Sequence, residues 1–167
     1  MNIKVNFIRK LSKANMVNGI VFVKEKKIKN SILNPILKSV LDNELFQDQL
    51  FIQREYKNTN YIFVNCKNLN ISSDYENIGS KLFDYLKKNK IENSYIDVSK
   101  IDINLMQLEK VIHGAKLKSY NFNIYKSNNK KNKNLILNIV GTQTLKSNIL
   151  RKKLDALLEG VFFTRDL

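Results

Sequence analysis

The first part of the chain alternates apolar and polar positions and then carries a continuous apolar run. Ile3, Val5 and Phe7 alternate with polar residues, which is the pattern of a half-buried strand. Residues 19–23 read Gly-Ile-Val-Phe-Val, a compact run that is typical of a strand in the interior of a sheet. The pattern therefore predicts two strands at the start of the chain.

A helix and a hairpin are predicted next. Asn34-Pro35 favours a helix start, because a proline in the first turn lacks only an N–H that would be unpaired there. Two apolar and aromatic segments follow at 50–56 and 61–66, with the polar residues 57–60 between them. This arrangement predicts a β-hairpin. The apolar side of the predicted helix consists of Ile36, Leu37, Val40 and Leu41.

After the hairpin the apolar period changes from two to that of a helix. Ser73 and Glu76 have the Ser-x-x-Glu spacing of a capping box, which predicts the start of a helix that runs to about Lys90. Residues 94–98 return to a strand pattern, so the region is a strand–helix–strand unit with parallel strands. The predicted helix has one apolar face, formed by Tyr75, Ile78, Leu82 and Leu86.

A second helix is predicted after this strand. Asn104 and Gln107 have the spacing of another capping box. The apolar residues that follow it at helical spacing are Leu105, Leu108, Ile112 and Ala115.

The last third of the chain predicts two more strands and a long helix. Residues 120–125 alternate with three aromatics, 126–133 form a lysine-rich polar loop, and 135–140 form an apolar interior strand. A long amphipathic helix is predicted from about Thr144. The order of elements predicts an α/β fold with a mixed sheet flanked by helices, in a single domain over residues 1–167.

Cysteine and histidine are too scarce for several kinds of site. Cys66 and His113 are the only residues of their types, so they cannot supply the four ligands of a structural zinc site or form a disulfide. No run approaches the length of a membrane helix, and the N-terminus does not resemble a signal peptide. We therefore expect a cytoplasmic protein with no membrane partner.

The net charge of +14 has two possible meanings. Only four of the 29 basic residues are Arg, and both ends of the chain are positive. One interpretation is a solvated lysine-rich surface. The other is a nucleic-acid-binding module, in which the basic segments 24–29 and 126–133 converge on one face.

Each residue with candidate chemistry has a structural alternative. Asp97 and Asp102 flank a strand end, where α/β proteins often bind ligands, but two acids in a loop more often cap or face solvent. For Cys66, a buried thiol is favoured over a nucleophile. For His113, a positioned imidazole without a catalytic role is favoured over a general base. For Gly141, a purely structural turn is favoured over a ligand site. No catalytic, cofactor-binding or metal residue is assigned in this chain.

Two segments carry a resemblance to a known family. Residues 113–127, His-Gly-Ala-Lys-Leu-Lys-Ser-Tyr-Asn-Phe-Asn-Ile-Tyr-Lys-Ser, resemble a segment of leucyl (cytosol) aminopeptidases that reads Glu-Gly, an apolar pair, Ser-Tyr, x-Phe, x-x-Tyr-Lys. Residues 159–167, Glu-Gly-Val-Phe-Phe-Thr-Arg-Asp-Leu, resemble the Glu-Gly-Val, x-x-x, Arg-Asp-Leu stretch of that family. His113 stands where the family usually has an acid, and 65–67 replace its glycine-containing turn.

The resemblance implies a fold and a role. In the family, the N-terminal domain has a macrodomain-like fold and ends in a long helix, here 144–167, that leads to the catalytic domain. That catalytic domain binds two divalent metals, Zn²⁺ or Mn²⁺, and the enzyme is a hexamer. We therefore expect this chain to be a non-catalytic N-terminal domain that positions a catalytic domain, with no cofactor of its own.

Overall fold

The computed structural model describes residues 2–12, 17–24, 33–41, 48–120 and 134–141, together with residues 152 and 156. Three predictions therefore lie outside the described residues. They are the aromatic strand after Tyr120, the loop 126–133, and the long helix from Thr144 except for the two single positions.

The described residues form six strands and three helices in an α/β arrangement, which confirms the predicted fold class of a mixed sheet flanked by helices. The sheet has the order β1-β6-β5-β2-β4-β3, and only β3 is antiparallel to its neighbour. The elements are β1 (Ile3–Ile8), β2 (Asn18–Val23), α1 (Asn34–Leu41), β3 (Phe51–Tyr56), β4 (Thr59–Asn65), α2 (Ser72–Lys88), β5 (Asn93–Asp97), a 3₁₀ turn (Val98–Lys100), α3 (Leu105–Ser119) and β6 (Leu135–Val140).

The two predicted N-terminal strands take different places in the sheet. β2 lies in the middle between β5 and β4, and its residues after Asn18 are all buried, as the continuous apolar run predicts. β1 lies at one edge and pairs only with β6 among the described strands. Its half-buried alternation agrees with this position.

The predicted hairpin is confirmed, with a tighter turn than the sequence suggested. β3 and β4 pair in antiparallel fashion from Phe51–Val64 to Tyr56–Thr59. The connection has only two residues, Lys57 and Asn58, and both have positive φ values of 47° and 61°. Two consecutive residues with positive φ are the mark of a type I′ turn, whose twist matches the twist of the strands.

The helix α2 begins two residues earlier than the predicted capping box implies, and it is capped by a different side chain. The carboxylate of Asp74 accepts hydrogen bonds from the backbone N–H groups of Asn70 (3.0 Å) and Ile71 (3.1 Å). The predicted capping box of Ser73 and Glu76 is therefore wrong. Asp74 performs this role because a carboxylate in the first turn favours the positive end of the helix dipole. The predicted apolar face of α2 is buried as expected.

The helix α3 begins as predicted. Asn104 accepts a hydrogen bond from the N–H of Gln107, and the Gln107 side chain accepts one from the N–H of Asn104, both at 2.9 Å. Leu108, Ile112 and Ala115 are buried, whereas Leu105 is 40% exposed. Leu105 is the first helical residue, and its neighbour Met106 is 75% exposed.

The main core lies between α2, α3 and one face of the sheet. Its central side chains are fully buried and come from alternate positions of four strands, as period-two patterning requires. They include Phe22, Ile62, Val64, Ile96, Leu137 and Ile139. A smaller apolar cluster covers part of the other face. There Val40 of α1 and Leu33, just before α1, pack with side chains of the sheet that include Val21, Val23 and Phe63.

The helices α2 and α3 contact each other through backbone. A Cβ atom added at Gly79 would lie 1.9 Å from the carbonyl oxygen of Val111, and one added at Gly114 would lie 1.9 Å from the carbonyl oxygen of Glu76. Neither position tolerates a side chain at this separation, because normal carbon–oxygen contacts are well above this distance. The close approach of these helices therefore depends on two glycines.

Asparagine side chains link three neighbouring strands on the sheet. The Nδ2 of Asn6 in β1 donates to Oδ1 of Asn138 in β6 at 3.1 Å, and the Nδ2 of Asn138 donates to Oδ1 of Asn93 in β5 at 3.0 Å. Asn138 is only 8% exposed, so these bonds satisfy amide groups that would otherwise be buried without partners. The chain of amides favours a single register among β1, β6 and β5.

Candidate functional site at the carboxyl edge of the sheet

The five parallel strands end at the same edge of the sheet, which we call the carboxyl edge. Lys24 follows β2, Cys66 follows β4, Asp97 ends β5 and Gly141 follows β6. Ligands of open α/β sheets bind at this edge, so we take it as the candidate functional site. Asp102 also reaches it, because its N–H donates to the carbonyl of Phe22 at the end of β2 (3.1 Å).

Asp97 holds the turn that follows its own strand. Its Oδ1 accepts hydrogen bonds from the backbone N–H (3.1 Å) and the hydroxyl (2.6 Å) of Ser99. Its Oδ2 lies 2.7 Å from Nζ of Lys100. Partial burial opposes ionisation, but the bonds from Lys100 and Ser99 outweigh it and bring the pKa of Asp97 below its ordinary value. The capping alternative for Asp97 is confirmed.

Asp102 connects the loop after β5 to the end of β2. Its Oδ2 accepts a hydrogen bond from the backbone N–H of Lys24 at 3.0 Å. Together with the bond to Phe22, this closes the loop 98–104 onto the central strand. Asp102 thus performs a structural role, as the capping interpretation of the two acids predicted.

Gly141 makes the turn predicted for it. Its φ is +84°, a conformation that favours glycine, and its N–H donates to the carbonyl of Ile8 at 3.2 Å. A Cβ at this position would lie 3.8 Å from Oδ1 of Asp97, an ordinary contact. Gly141 therefore lies next to Asp97. Glycine is favoured at this position by the backbone conformation and not by a lack of space for a side chain.

Cys66 is part of the main core, as the structural interpretation predicted. Its side chain is 0% exposed, and its N–H donates to the carbonyl of Val23 at 2.8 Å. Burial raises the pKa of the thiol to about 12. A thiol that stays protonated is a weak nucleophile, so Cys66 acts as a small apolar residue.

His113 lies far along α3 from this edge, in a cluster with Glu76 and Lys110. The Nδ1 of His113 is 3.3 Å from Oε1 of Glu76, and Nζ of Lys110 is 3.0 Å from the same oxygen. Burial alone raises the pKa of Glu76, but the hydrogen bond and charge of Lys110, with His113, lower it overall. The cluster joins α2 to α3 beside the place where Gly114 packs against the backbone of Glu76.

The sequence analysis did not identify the residues that make this helix contact, Gly79 and Gly114. Gly79 directly follows the apolar position Ile78, and Gly114 lies between the buried residues Ile112 and Ala115. A glycine on the buried face of a helix, where it lowers helix propensity, is the signal that identifies such a contact.

A concavity near the carboxyl edge lies between the starts of α2 and α3. It has a volume of about 240 Å³ and is lined by residues that include Asn70, Tyr75, Asn104 and Lys110. The free amides at both helix starts are partly taken by Asp74, Asn104 and Gln107. The concavity therefore offers few unused donors for an anion.

The two basic segments, 24–29 and 126–133, are attached to opposite ends of the parallel strands. Lys24 follows the end of β2, whereas Asn134 precedes the start of β6. β2 and β6 are both parallel to β5, and each spans six residues, or about 20 Å. These attachment points do not support the convergence that the nucleic-acid alternative requires. The segments beyond them lie outside the described residues.

Within the described ranges, no group of three or more His, Cys, Asp or Glu side chains is placed to hold a metal ion. Over the same part of the chain, no helix has both the length and the apolar character needed to span a bilayer.

Comparison with known proteins gives a likeness in fold. No protein-family model matches the chain, and no curated protein matches it in sequence. Among solved structures, a tomato leucine aminopeptidase mutant superposes with a TM-score of 0.61 at 15% sequence identity. The match covers 96% of this chain and 37% of that chain, so this chain corresponds in length to about a third of the plant enzyme.

Proposed function

We propose that this chain is the N-terminal domain of a leucyl aminopeptidase and that it assembles and positions a catalytic domain without catalysing hydrolysis itself. The observation that carries the proposal is the fold match to the tomato enzyme, which takes in 96% of this chain but 37% of the other. Residues 113–127 and 159–167 independently resemble segments of the same family. Sequence and fold therefore favour the same parentage.

The state of the candidate residues supports a non-catalytic role. Asp97 and Asp102 bond the backbone of neighbouring turns, and Cys66 is buried with a raised pKa. Each of these groups therefore already has a structural task, in a turn or in the core.

The metals of the family do not fit the described residues of this chain. Two divalent ions, Zn²⁺ or Mn²⁺, need several carboxylate or nitrogen ligands around them, and the described part of the chain holds no such group. We infer that the ions bind to a separate catalytic domain and that this chain supplies none of their ligands. The proposal includes a cytoplasmic hexamer, in which this domain contacts its own catalytic domain.

A hydrolysis assay of the purified 167-residue chain tests the non-catalytic part of the proposal. The chain is incubated with Mn²⁺ or Zn²⁺ and leucine p-nitroanilide, and product release is followed with and without a chelator. We expect no release above the metal-only control. Sustained, chelator-sensitive release that co-elutes with the chain would show that it catalyses the reaction and would overturn this part.

A further inference from the structure

Among the described strands, the edge strand β1 pairs on only one of its two sides. The N–H of Leu135 donates to the carbonyl of Asn2 at 2.8 Å, and the N–H of Gly141 donates to the carbonyl of Ile8 at 3.2 Å. In a parallel ladder, successive residues direct their backbone groups to opposite sides. The even-numbered residues of β1 therefore bond to β6.

The odd-numbered residues Ile3, Val5 and Phe7 consequently direct their N–H and C=O groups away from the sheet. No described strand lies on that side, because β1 ends the strand order. Val5 and Phe7 are also only half-buried against the main core. The outer side of β1 thus combines a row of backbone donors and acceptors with partly uncovered apolar side chains, which is the template for an added strand.

A groove runs beside the first half of this edge. It has a volume of about 380 Å³ and lies between β1 and the last turns of α3. The residues that line it are Asn2, Ile3, Lys4, Val5, Lys116 and Asn134. An extended backbone laid along β1 would therefore pass between an exposed lysine of the strand and a lysine of the helix.

The described stretches beside this edge carry more basic than acidic charge. Residues 2–12 form β1 and its flanks, and residues 116–120 lie at the end of α3. These two stretches contain no acidic side chain and five basic ones, Lys4, Arg9, Lys10, Lys116 and Lys118. Of these, Lys118 forms an ion pair with Asp84 of α2. Two copies of such an edge would repel each other, whereas an acidic segment would be attracted.

We propose that the outer side of β1 binds an extended, acidic segment of a partner polypeptide as an additional strand. Backbone hydrogen bonds to Ile3, Val5 and Phe7 supply the pairing, and the lysines select a negatively charged sequence. This inference does not rest on the aminopeptidase proposal, since it uses only the sheet edge and its charge. A nucleic acid would match the charge but not the row of amide groups.

The probe is a capped peptide of six residues, the length of β1, in which glutamate and valine alternate. In one register its valines continue the apolar face of Val5 and Phe7, and its glutamates lie on the side of Lys4. The peptide is titrated into the ¹⁵N-labelled full chain at low salt. We expect shifts concentrated on Ile3, Val5 and Phe7, slower amide exchange at these residues, and weaker binding at higher salt.

Two control peptides separate strand pairing from simple charge attraction. A version N-methylated at every residue keeps the glutamates but cannot donate along either side, and we expect it to bind about tenfold more weakly. A lysine–valine version should not bind. If the N-methylated peptide binds as well as the parent, or a single-stranded hexanucleotide produces the same shifts, strand addition is excluded.

Two variants test the same surface from the protein side. Val5→Pro removes an outward N–H without removing a bond to β6, and proline is tolerated at edges, so we expect about fivefold weaker binding. Lys4→Glu should weaken binding about threefold. Unchanged affinity in both variants would overturn the proposal, as would no binding of the acidic peptide to the wild-type chain. If Val5→Pro does not fold, the affinity of Lys4→Glu for the acidic peptide and the affinity of the wild-type chain for the N-methylated peptide test the proposal.

Discussion

The contact between α2 and α3 and the carboxyl edge of the sheet are held together by opposite means. At the helix contact, Gly79 and Gly114 lack side chains, so backbone meets backbone. At the carboxyl edge, Asp97 and Asp102 use their side chains to bond the backbone of neighbouring loops. The two carboxylates at the carboxyl edge thus stabilise turns, whereas the two glycines determine how closely α2 and α3 pack.

The strongest test of this contrast is alanine at either glycine. Alanine normally stabilises a helix relative to glycine by about 1 kcal/mol. At Gly79 or Gly114, however, the new Cβ would meet a carbonyl oxygen of the other helix, so the helices must separate. We expect the free energy of unfolding, measured by urea denaturation, to fall by about 3 kcal/mol.

Asn77→Ala is the matched control, because Asn77 lies on the exposed side of α2. It should leave stability unchanged or raise it slightly. If Gly79→Ala and Gly114→Ala also raised stability, the helices would not be in backbone contact, and the contrast would fail.

The second test concerns Cys66, where the core and the carboxyl edge meet. Cys66→Ser places a hydroxyl at a fully buried position in the apolar core, and we expect a loss of about 2 kcal/mol in unfolding free energy. Cys66→Ala leaves a small cavity and should lose less, about 1 kcal/mol. Equal stability of Cys66→Ser and wild type in thermal denaturation would show that this position is not part of the core.

Removing the cap at the end of β5 should have a smaller effect. Asp97→Ala removes the acceptor for two bonds from Ser99 and the ion pair with Lys100, and we expect a loss of about 1 kcal/mol by urea denaturation. Asp84→Ala serves as the control, since Asp84 forms an exposed ion pair with Lys118. If Asp97→Ala lowered the free energy of unfolding no more than Asp84→Ala does, the structural role assigned to Asp97 would be contradicted.

The smallest expected effect is the pH dependence of the Glu76 cluster. The pKa of Glu76 is lowered in the folded chain, so its contribution is present above the ordinary glutamate pKa and is lost as pH falls through the lowered value. Glu76→Gln should therefore reduce the loss of stability on acidification below about pH 4, by about 0.5 kcal/mol. Identical acid profiles of Glu76→Gln and wild type would contradict the lowered pKa.

Local patterns predicted the elements well where one short stretch of sequence determines the outcome. The compact run at 19–23 became the central strand, and Asn104 with Gln107 formed the expected capping box. The hairpin was also found, although its turn is shorter than the polar stretch 57–60 suggested. In each of these cases the signal and the structure lie within a few residues of each other.

Features that depend on contacts between distant segments could not be predicted in this way. Nothing in Ile3, Val5 and Phe7 indicates an edge strand, because the strand order depends on the whole topology. Ser73 and Asp74 both suit a helix start, and the path of the preceding loop selects Asp74. Gly79 and Gly114 acquire meaning only when the two helices are placed together.

The candidate residues also divide into those whose role depends on nearby sequence and those whose role depends on a distant segment. The interpretation of Cys66, Asp97 and Gly141 as structural groups is confirmed, since each depends on its own strand end. The partners of His113 were not predicted, because Glu76 lies on a different helix. The macrodomain-like description, the hexamer and the cytoplasmic location stay predictions.

The central claim is that this chain works as the architectural part of a hydrolytic enzyme. The most direct measurement is to tag the chain at its native locus, purify the assembly that contains it, and assay leucine p-nitroanilide hydrolysis with and without a chelator. We predict chelator-sensitive hydrolysis that co-elutes with the tagged assembly, in contrast to the purified 167-residue chain. A homogeneous tagged assembly that does not hydrolyse the substrate when supplied with Mn²⁺ or Zn²⁺ would contradict the claim.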